Sequence, residues 1–218
     1  MSPAFFAITL FSSFAIPVVA YLIGSIPFGL LAGKLKGVDV REHGSGNIGA
    51  TNVLRTCGKP VGIAVLILDL LKGLAPVLLA RTLAPDNGLL TVLAAVFAIL
   101  GHNYPCWLGF KGGKGIATSA GALIGFLPIA FLIALVAWVV AFFTTRYVAI
   151  ASIAAAVSLP ISVVTMKLLG HPVPMAYIVF AVLVGGLAVW RHRSNIERLR
   201  AGTEHRFESR KKDKTNTR

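Results

Sequence analysis

Cysteine, acid and metal-binding patterns are all scarce in this chain of 218 residues. The two cysteines, Cys57 and Cys106, lie far apart in dissimilar contexts, so no disulfide framework organises the fold. No H-E-x-x-H, no Cys/His spacing of the metal-site kind and no paired acids occur. Metal-assisted or two-carboxylate chemistry therefore lacks its ligands. A G-x-S-x-G nucleophile elbow is also missing. Aspartate and glutamate together number only eight, and Asp69 alone falls inside an apolar run. No Lys or Arg precedes Lys34, and no clear cleavage site follows the first apolar stretch. The N-terminus is therefore expected to be a retained membrane span rather than a signal peptide.

Hydrophobic residues make up 56% of the sequence, and the mean hydropathy is +0.80. That exceeds a soluble domain, and apolar runs of about 20 residues are long enough to cross a bilayer as helices. The net charge is +13, with ten Lys/Arg from Arg191 onward and no aromatic platform among them. Such a cluster fits a cytoplasmic tail beside anionic lipid better than a nucleic-acid partner.

Apolar segments fall near 4–33, 61–80, 88–107, 116–144, 147–167 and 173–190. The basic stretches 34–60, 108–115 and the tail are expected on the cytoplasmic side, and the lysine-free N-terminus outside. Six spans cannot satisfy both ends. Residues 116–144 are too long for one ordinary span, and Pro128 interrupts them. Proline is tolerated at a helix start and disfavoured inside one. The expectation is therefore a short helix, 116–126, and a longer one, 127–144, giving an all-α protein of seven helices with N-terminus outside and C-terminus cytoplasmic. The short helix either crosses or re-enters; the alternative is one long, kinked helix. Residues 1–207 then form a single integral-membrane domain, with 208–218 a basic, disordered cytoplasmic tail.

Three polar clusters converge on one membrane face: 41–55, 101–119 and 191–206. Gly112, Gly113 and Gly115 around Lys114 could let backbone amides cradle an anion at the start of the next helix. This is not a Walker A loop, since the spacing is one residue short and Gly115 stands where Ser or Thr should be. A flexible loop with lysines reaching to headgroups would read the same way. In "HGSGNIGATN", G-x-G-x-x-G occurs without a βαβ unit, so dinucleotide binding is rejected. Ser45 and Asn47 can donate to phosphate or hydroxyl oxygens, and Arg55 can clamp a phosphate with two N–H groups. Alternatively Ser45 or Asn47 caps a helix starting near Ile48. His192 and Asn195, three apart, would share a helix face. Asp69 and Lys72 form an intramembrane i, i+3 pair, either functional or simply neutralising. His102, with Asn103, is expected to line the same pocket.

These stretches, together with "GSIPFG", "LDLLKG", "GHNYPCWLGFKGGKGIAT", "RYVAIASI" and "RHRSNIERLRAGTEHR", resemble the bacterial acyl-phosphate:glycerol-3-phosphate acyltransferases of the PlsY type. The similarity runs from about 21 to 207. It implies a seven-helix inner-membrane enzyme of phospholipid biosynthesis. Its substrates would be acyl phosphate and glycerol 3-phosphate, and its products lysophosphatidic acid and phosphate. No cofactor, acyl carrier protein or CoA would be needed. The H-x-x-x-x-D motif of other glycerol-phosphate acyltransferases is absent here. By resemblance Ser45, Arg55, Lys114, His192 and Asn195 form the core site, with Gly112, Gly113 and Gly115 shaping the phosphate site. Thr118, Asn52 and Glu204 lie in matching motifs with lesser roles. Phosphate leaves readily, so two positioned anions suffice without an enzyme nucleophile or acyl-enzyme. A transporter or channel for a phosphorylated anion is the alternative, although the clusters gather at one face rather than mid-membrane.

Overall fold

The structure, a computed structural model, describes residues 3–207, with side chains from residue 14 onward. The expected disordered tail at 208–218 lies outside the described residues. Helices dominate because a backbone in hydrocarbon must pair its own N–H and C=O groups. In order they are α1 (Pro3–Gly24), α2 (Phe28–Leu35), α3 (Ala50–Cys57), α4 (Lys59–Leu83), α5 (Gly88–Asn103), α6 (Ile116–Phe126), α7 (Pro128–Thr145), α8 (Val148–Leu168), α9 (Met175–Arg191) and α10 (Arg193–Arg200). One 3-10 turn, Cys106–Leu108, follows α5, and no strand occurs among the described residues. Among the described residues five segments are long and apolar enough to cross a membrane: Phe14–Leu35, Lys59–Leu83, Gly88–Leu108, Pro128–Thr145 and Val148–Leu168. A sixth span results only if α9 and the polar α10, bent by 48° from one another, are taken together.

The division of 116–144 falls where proline chemistry places it, with α6 ending at Phe126 and Pro128 opening α7. The first apolar segment, read as continuous, is broken between Gly24 and Phe28 at Ser25-Ile26-Pro27. The helix expected near Ile48 starts two residues later, at Ala50. Its cap is Gly49, and neither Ser45 nor Asn47 caps it. Asn47 Oδ1 instead accepts from the Gly49 amide at 2.8 Å, closing the turn just ahead of the helix.

Small residues draw the helices together. A side chain at Gly73 of α4 would collide with the Thr118 carbonyl of α6, and one at Gly121 with the Leu70 carbonyl. These backbones touch directly, as membrane helices do where glycine removes the spacer. Thr118 and Gly121 therefore lie beside the middle of α4, and α6 begins partway along its neighbour. At the far end of both helices Arg81 donates to the Gly125 carbonyl. Phe126, edge-on to Tyr177 and Phe180 with centroids 5.1 Å apart, sits in the main apolar core with Val77, Ile99 and Leu159. On α7 the side chains of Leu132, Val136, Val140 and Phe143 point outward and exposed, an apolar exterior suited to lipid.

Candidate active site

A single cavity of about 410 Å3 links all three polar clusters to the bundle interior. Ser45, Asn47 and Arg55 reach it from the 41–55 segment, and Lys114 and Gly115 from the loop before α6. His192, Asn195 and Glu204 close it from the end of the chain. Beyond these the walls become apolar: Leu66 and Leu70 of α4, Leu123 of α6, Phe131 of α7 and Leu159 of α8.

A chain of polar contacts spans the cationic end. Lys114 Nζ donates to Asn195 Oδ1. Asn195 Nδ2 donates to Glu204 Oε1 at 2.8 Å, and Arg198 Nε donates to Glu204 Oε2 at 2.8 Å. An ammonium on one side and a carboxylate on the other leave the buried amide only one orientation. Burial, reinforced by the Arg198 charge, pushes the Lys114 ammonium down to about 8. His192 is buried, and its Nδ1 lies 2.8 Å from the Ala188 carbonyl. A carbonyl can only accept, so Nδ1 carries the hydrogen and Nε2 is the nitrogen left for a ligand. Arg55 is half-buried, which lowers its guanidinium, with Glu204 acting the other way.

Two elements differ from expectation. The Gly112 amide donates to the Asn103 carbonyl (3.1 Å) and the Gly113 amide to the His102 carbonyl (3.0 Å), so neither is free for a phosphate. Their own carbonyls face Arg191, whose Nη2 donates to Gly112 O at 2.8 Å and Gly113 O at 2.7 Å. Gly113 is required because a Cβ there would fall on His102 Nε2. Gly115, at φ +79°, is left-handed and lines the cavity. These glycines seat the loop on the end of α5 and aim Lys114. Thr118 also departs: it is fully buried against α4 and does not line the cavity, whereas Ser119 does.

Asn52 lines the cavity and clasps the loop before α3. Its Oδ1 accepts from the Ser45 amide at 2.9 Å, while its Nδ2 donates to the carbonyls of Val40 (2.8 Å) and His43 (3.1 Å). Asp69 and Lys72 form the expected ion pair at 2.8 Å. Lys72 Nζ also donates at 2.8 Å to the Ile26 carbonyl in the break between α1 and α2, an oxygen that accepts from the Phe28 amide as well. Asp69 Oδ1 lies 3.7 Å from His102 Nδ1, and both residues reach the cavity wall. Arg191, Ser119, Trp138 and Ser152 were not singled out from sequence. Arg191 stands in a run of basic residues, Ser119 closes the polar cluster 101–119 and Ser152 lies in the stretch RYVAIASI, whereas Trp138 carries no signal. Among the described residues no group of three or more His, Cys, Asp or Glu could hold a metal ion.

A pocket cationic at one end and continuous with an apolar cleft, inside a bundle of apolar helices, defines an integral membrane protein with its polar site at the end of the bundle. Residues 14–202 match the glycerol-3-phosphate acyltransferase family, and the chain belongs to it. Curated relatives include the glycerol-3-phosphate acyltransferases of Desulforamulus reducens, 50% identical over 88% of this chain and 94% of that protein, and Aquifex aeolicus, 44% identical over 87% and 96%. The fold is similar to crystal structures of PlsY, an integral membrane glycerol 3-phosphate acyltransferase. The glycerol 3-phosphate form superposes with a TM-score of 0.83 at 42% identity, covering 90% of this chain and 96% of that one. The lysophosphatidic acid form gives 0.81 at 41% over the same shares. The protein is an acyltransferase acting on glycerol 3-phosphate, and these comparisons give no support to the transporter reading.

Proposed function

We propose that the acyl donor is an acyl phosphate and that transfer occurs at the cytoplasmic face of a bacterial inner membrane, with the N-terminus outside and the C-terminus inside. The observation that carries this reading is the junction in one cavity between Lys114, Arg55 and Asn195 and the cleft lined by Leu66, Leu123 and Phe131. A donor with a phosphate head and an acyl tail satisfies both ends of such a cavity. The basic segments 34–60 and 108–115 support the orientation. The Arg81–Gly125 contact supports an α6 that crosses rather than turns back.

In this reading Lys114 holds one phosphate, and Arg55, His192 and Asn195 hold the other, with Ser45 and Asn47 beside them. The 1-hydroxyl oxygen of glycerol 3-phosphate attacks the acyl carbonyl and a new ester C–O bond forms. The C–O bond to phosphate breaks and its electron pair leaves with phosphate. A phosphate oxygen of the donor takes the hydroxyl proton, so no protein base is consumed; His192 Nε2 is the second candidate. Two anions are positioned and the developing charge is held by fixed cations in a partly desolvated site.

The test is product formation by purified protein with labelled glycerol 3-phosphate and either palmitoyl phosphate or palmitoyl-CoA, without carrier protein or added metal. Lysophosphatidic acid from the acyl phosphate alone, lost in Lys114→Ala, is the expected result. Equal product from palmitoyl-CoA would overturn the donor assignment. A pH–rate profile unchanged in a His192→Gln variant that still turns over removes His192 as the base.

A further inference from the structure

Residues 203–207 cross from the end of α10 to the turn between α7 and α8, passing over Arg55 of α3. Glu204 ties one end to Asn195 and Arg198. At the other end the Phe207 amide donates to the Arg146 carbonyl at 2.9 Å, and the Phe207 ring stands edge-on to Phe142 with centroids 5.7 Å apart. The Arg55 guanidinium carbon lies 5.4 Å from the centroid of the Phe207 ring, and Arg55 Nη2 donates to the His205 carbonyl at 3.4 Å. The hydrogen bond and the aromatic contact of this guanidinium both come from the same strap.

We infer that Phe207 is a positioning residue for the reaction, holding Arg55 in the orientation that grips a substrate phosphate; this rests on the role proposed for Arg55. The physical reason lies in how a guanidinium is shaped. Its donors all lie in its plane, whereas an aromatic ring engages its face. A carboxylate partner would fix Arg55 by occupying the donors that a phosphate needs. Phe207 fixes it and leaves most of those donors free. A second effect follows from the location: the ring covers the guanidinium from water, which strengthens whatever anion contact Arg55 makes.

The experiment compares Phe207→Ala, Phe207→Leu and Phe207→Trp in the full chain, each also combined with Arg55→Ala, reading kcat, KM for glycerol 3-phosphate and thermal unfolding in detergent. The expected result is a KM raised roughly three- to tenfold in the Ala and Leu variants, the span of an exposed to partly desolvated cation–aromatic contact. The kcat should stay within about twofold, and the Phe207→Trp variant should keep a KM close to that of the wild type. In the Arg55→Ala background the Phe207 substitutions should add nothing further. Leu keeps apolar bulk and separates packing from the ring–cation contact, so a wild-type KM in a folded Phe207→Leu variant overturns the proposal. An unchanged KM in Arg55→Ala removes the clamp itself and the positioning role with it. A large KM effect in Arg55→Ala with none in any Phe207 variant overturns the positioning role alone.

Discussion

Lys114 offers the sharpest test of the site, because its charge state and its position can be perturbed separately. Its ammonium donates to buried Asn195 and is pushed down to about 8 by burial. Removing it in Lys114→Ala deletes one charge-assisted donor from a partly desolvated site. Losing one such preorganised donor costs about 3 kcal/mol of transition-state stabilisation, or roughly 100-fold in turnover. The same change leaves Asn195 Oδ1 without its donor and lowers stability by about 1 kcal/mol. The pH dependence supplies a second reading. A lysine acts here only while protonated, so kcat/KM should hold its plateau below about pH 8 and fall above it. Arginine stays protonated throughout that range. A Lys114→Arg variant that retains turnover should therefore carry its plateau to higher pH. The assay is initial-rate product formation from about pH 6 to about pH 10, on either side of that value, in the wild type and both variants. A falling limb that stays near pH 8 in the arginine variant would refute Lys114 as its source. A loss of less than about fivefold in the alanine variant would refute its place in the transition state.

Asn195→Asp replaces a donor with a second carboxylate beside Glu204, at a contact now 2.8 Å long. Like charges at that distance resist joint ionisation, so kcat/KM should fall at least about tenfold at about pH 7 and recover in part as the pH is lowered. Gly113→Ala drives a methyl group into His102 Nε2. Overpacking of this kind costs about 1–3 kcal/mol, seen as a lower unfolding temperature. The double variant with His102→Ala should lose less than the two single effects added together, and strict additivity would count against the contact. Ala156 is buried and lines the apolar part of the cavity. Ala156→Phe should shift preference toward shorter acyl phosphates, measured as the decanoyl-to-palmitoyl ratio of kcat/KM, by about tenfold, roughly 1.4 kcal/mol; an unchanged ratio would place the acyl chain elsewhere.

Much of the fold was legible where one residue type has one strong meaning. Pro128 inside an over-long apolar run divides it into α6 and α7, because proline suits a helix start and not its interior. Asp69 and Lys72 at i, i+3 had to meet, since a lone charge in an apolar helix is costly. Pro27 carried the same kind of signal for the break between α1 and α2, yet unbroken hydrophobicity on both sides hid it. The polar clusters flagged the residues that line the cavity, but not how they are used. Gly112 and Gly113 read as amides open to an anion, and whether an amide is open depends on the carbonyls of His102 and Asn103, which only the folded chain brings near. Thr118 and Ser119 are adjacent, equally polar neighbours on a helix that is apolar elsewhere. Packing of Gly73 against the Thr118 carbonyl decides which of them turns from the cavity. Arg55 was foreseen as a phosphate clamp, but Phe207 was not foreseen as its support, because the two lie in distant parts of the chain and nothing local marks an aromatic that will lie on a remote guanidinium.

The short α6 bears on how a lipid substrate is handled. Its first turn lies beside the middle of α4, around Leu70 and Gly73, and the residues of α4 from Lys59 to Leu70 span about 16 Å at about 1.5 Å per residue. Polar side chains and the Lys114 loop fill the space that a full-length helix would have taken. In the orientation proposed above, the polar end of the cavity lies below the start of α4, toward the depth at which a membrane lipid carries its acyl carbonyl. Drawing a sixteen-carbon chain out of the bilayer to meet a soluble partner would cost about 12 kcal/mol, at ~0.8 kcal/mol for each methylene. With the carbonyl met at that depth, the tail can pass from lipid into the apolar cleft of Leu66, Leu123 and Phe131 without crossing water, and only the small, water-soluble acceptor has to make the journey.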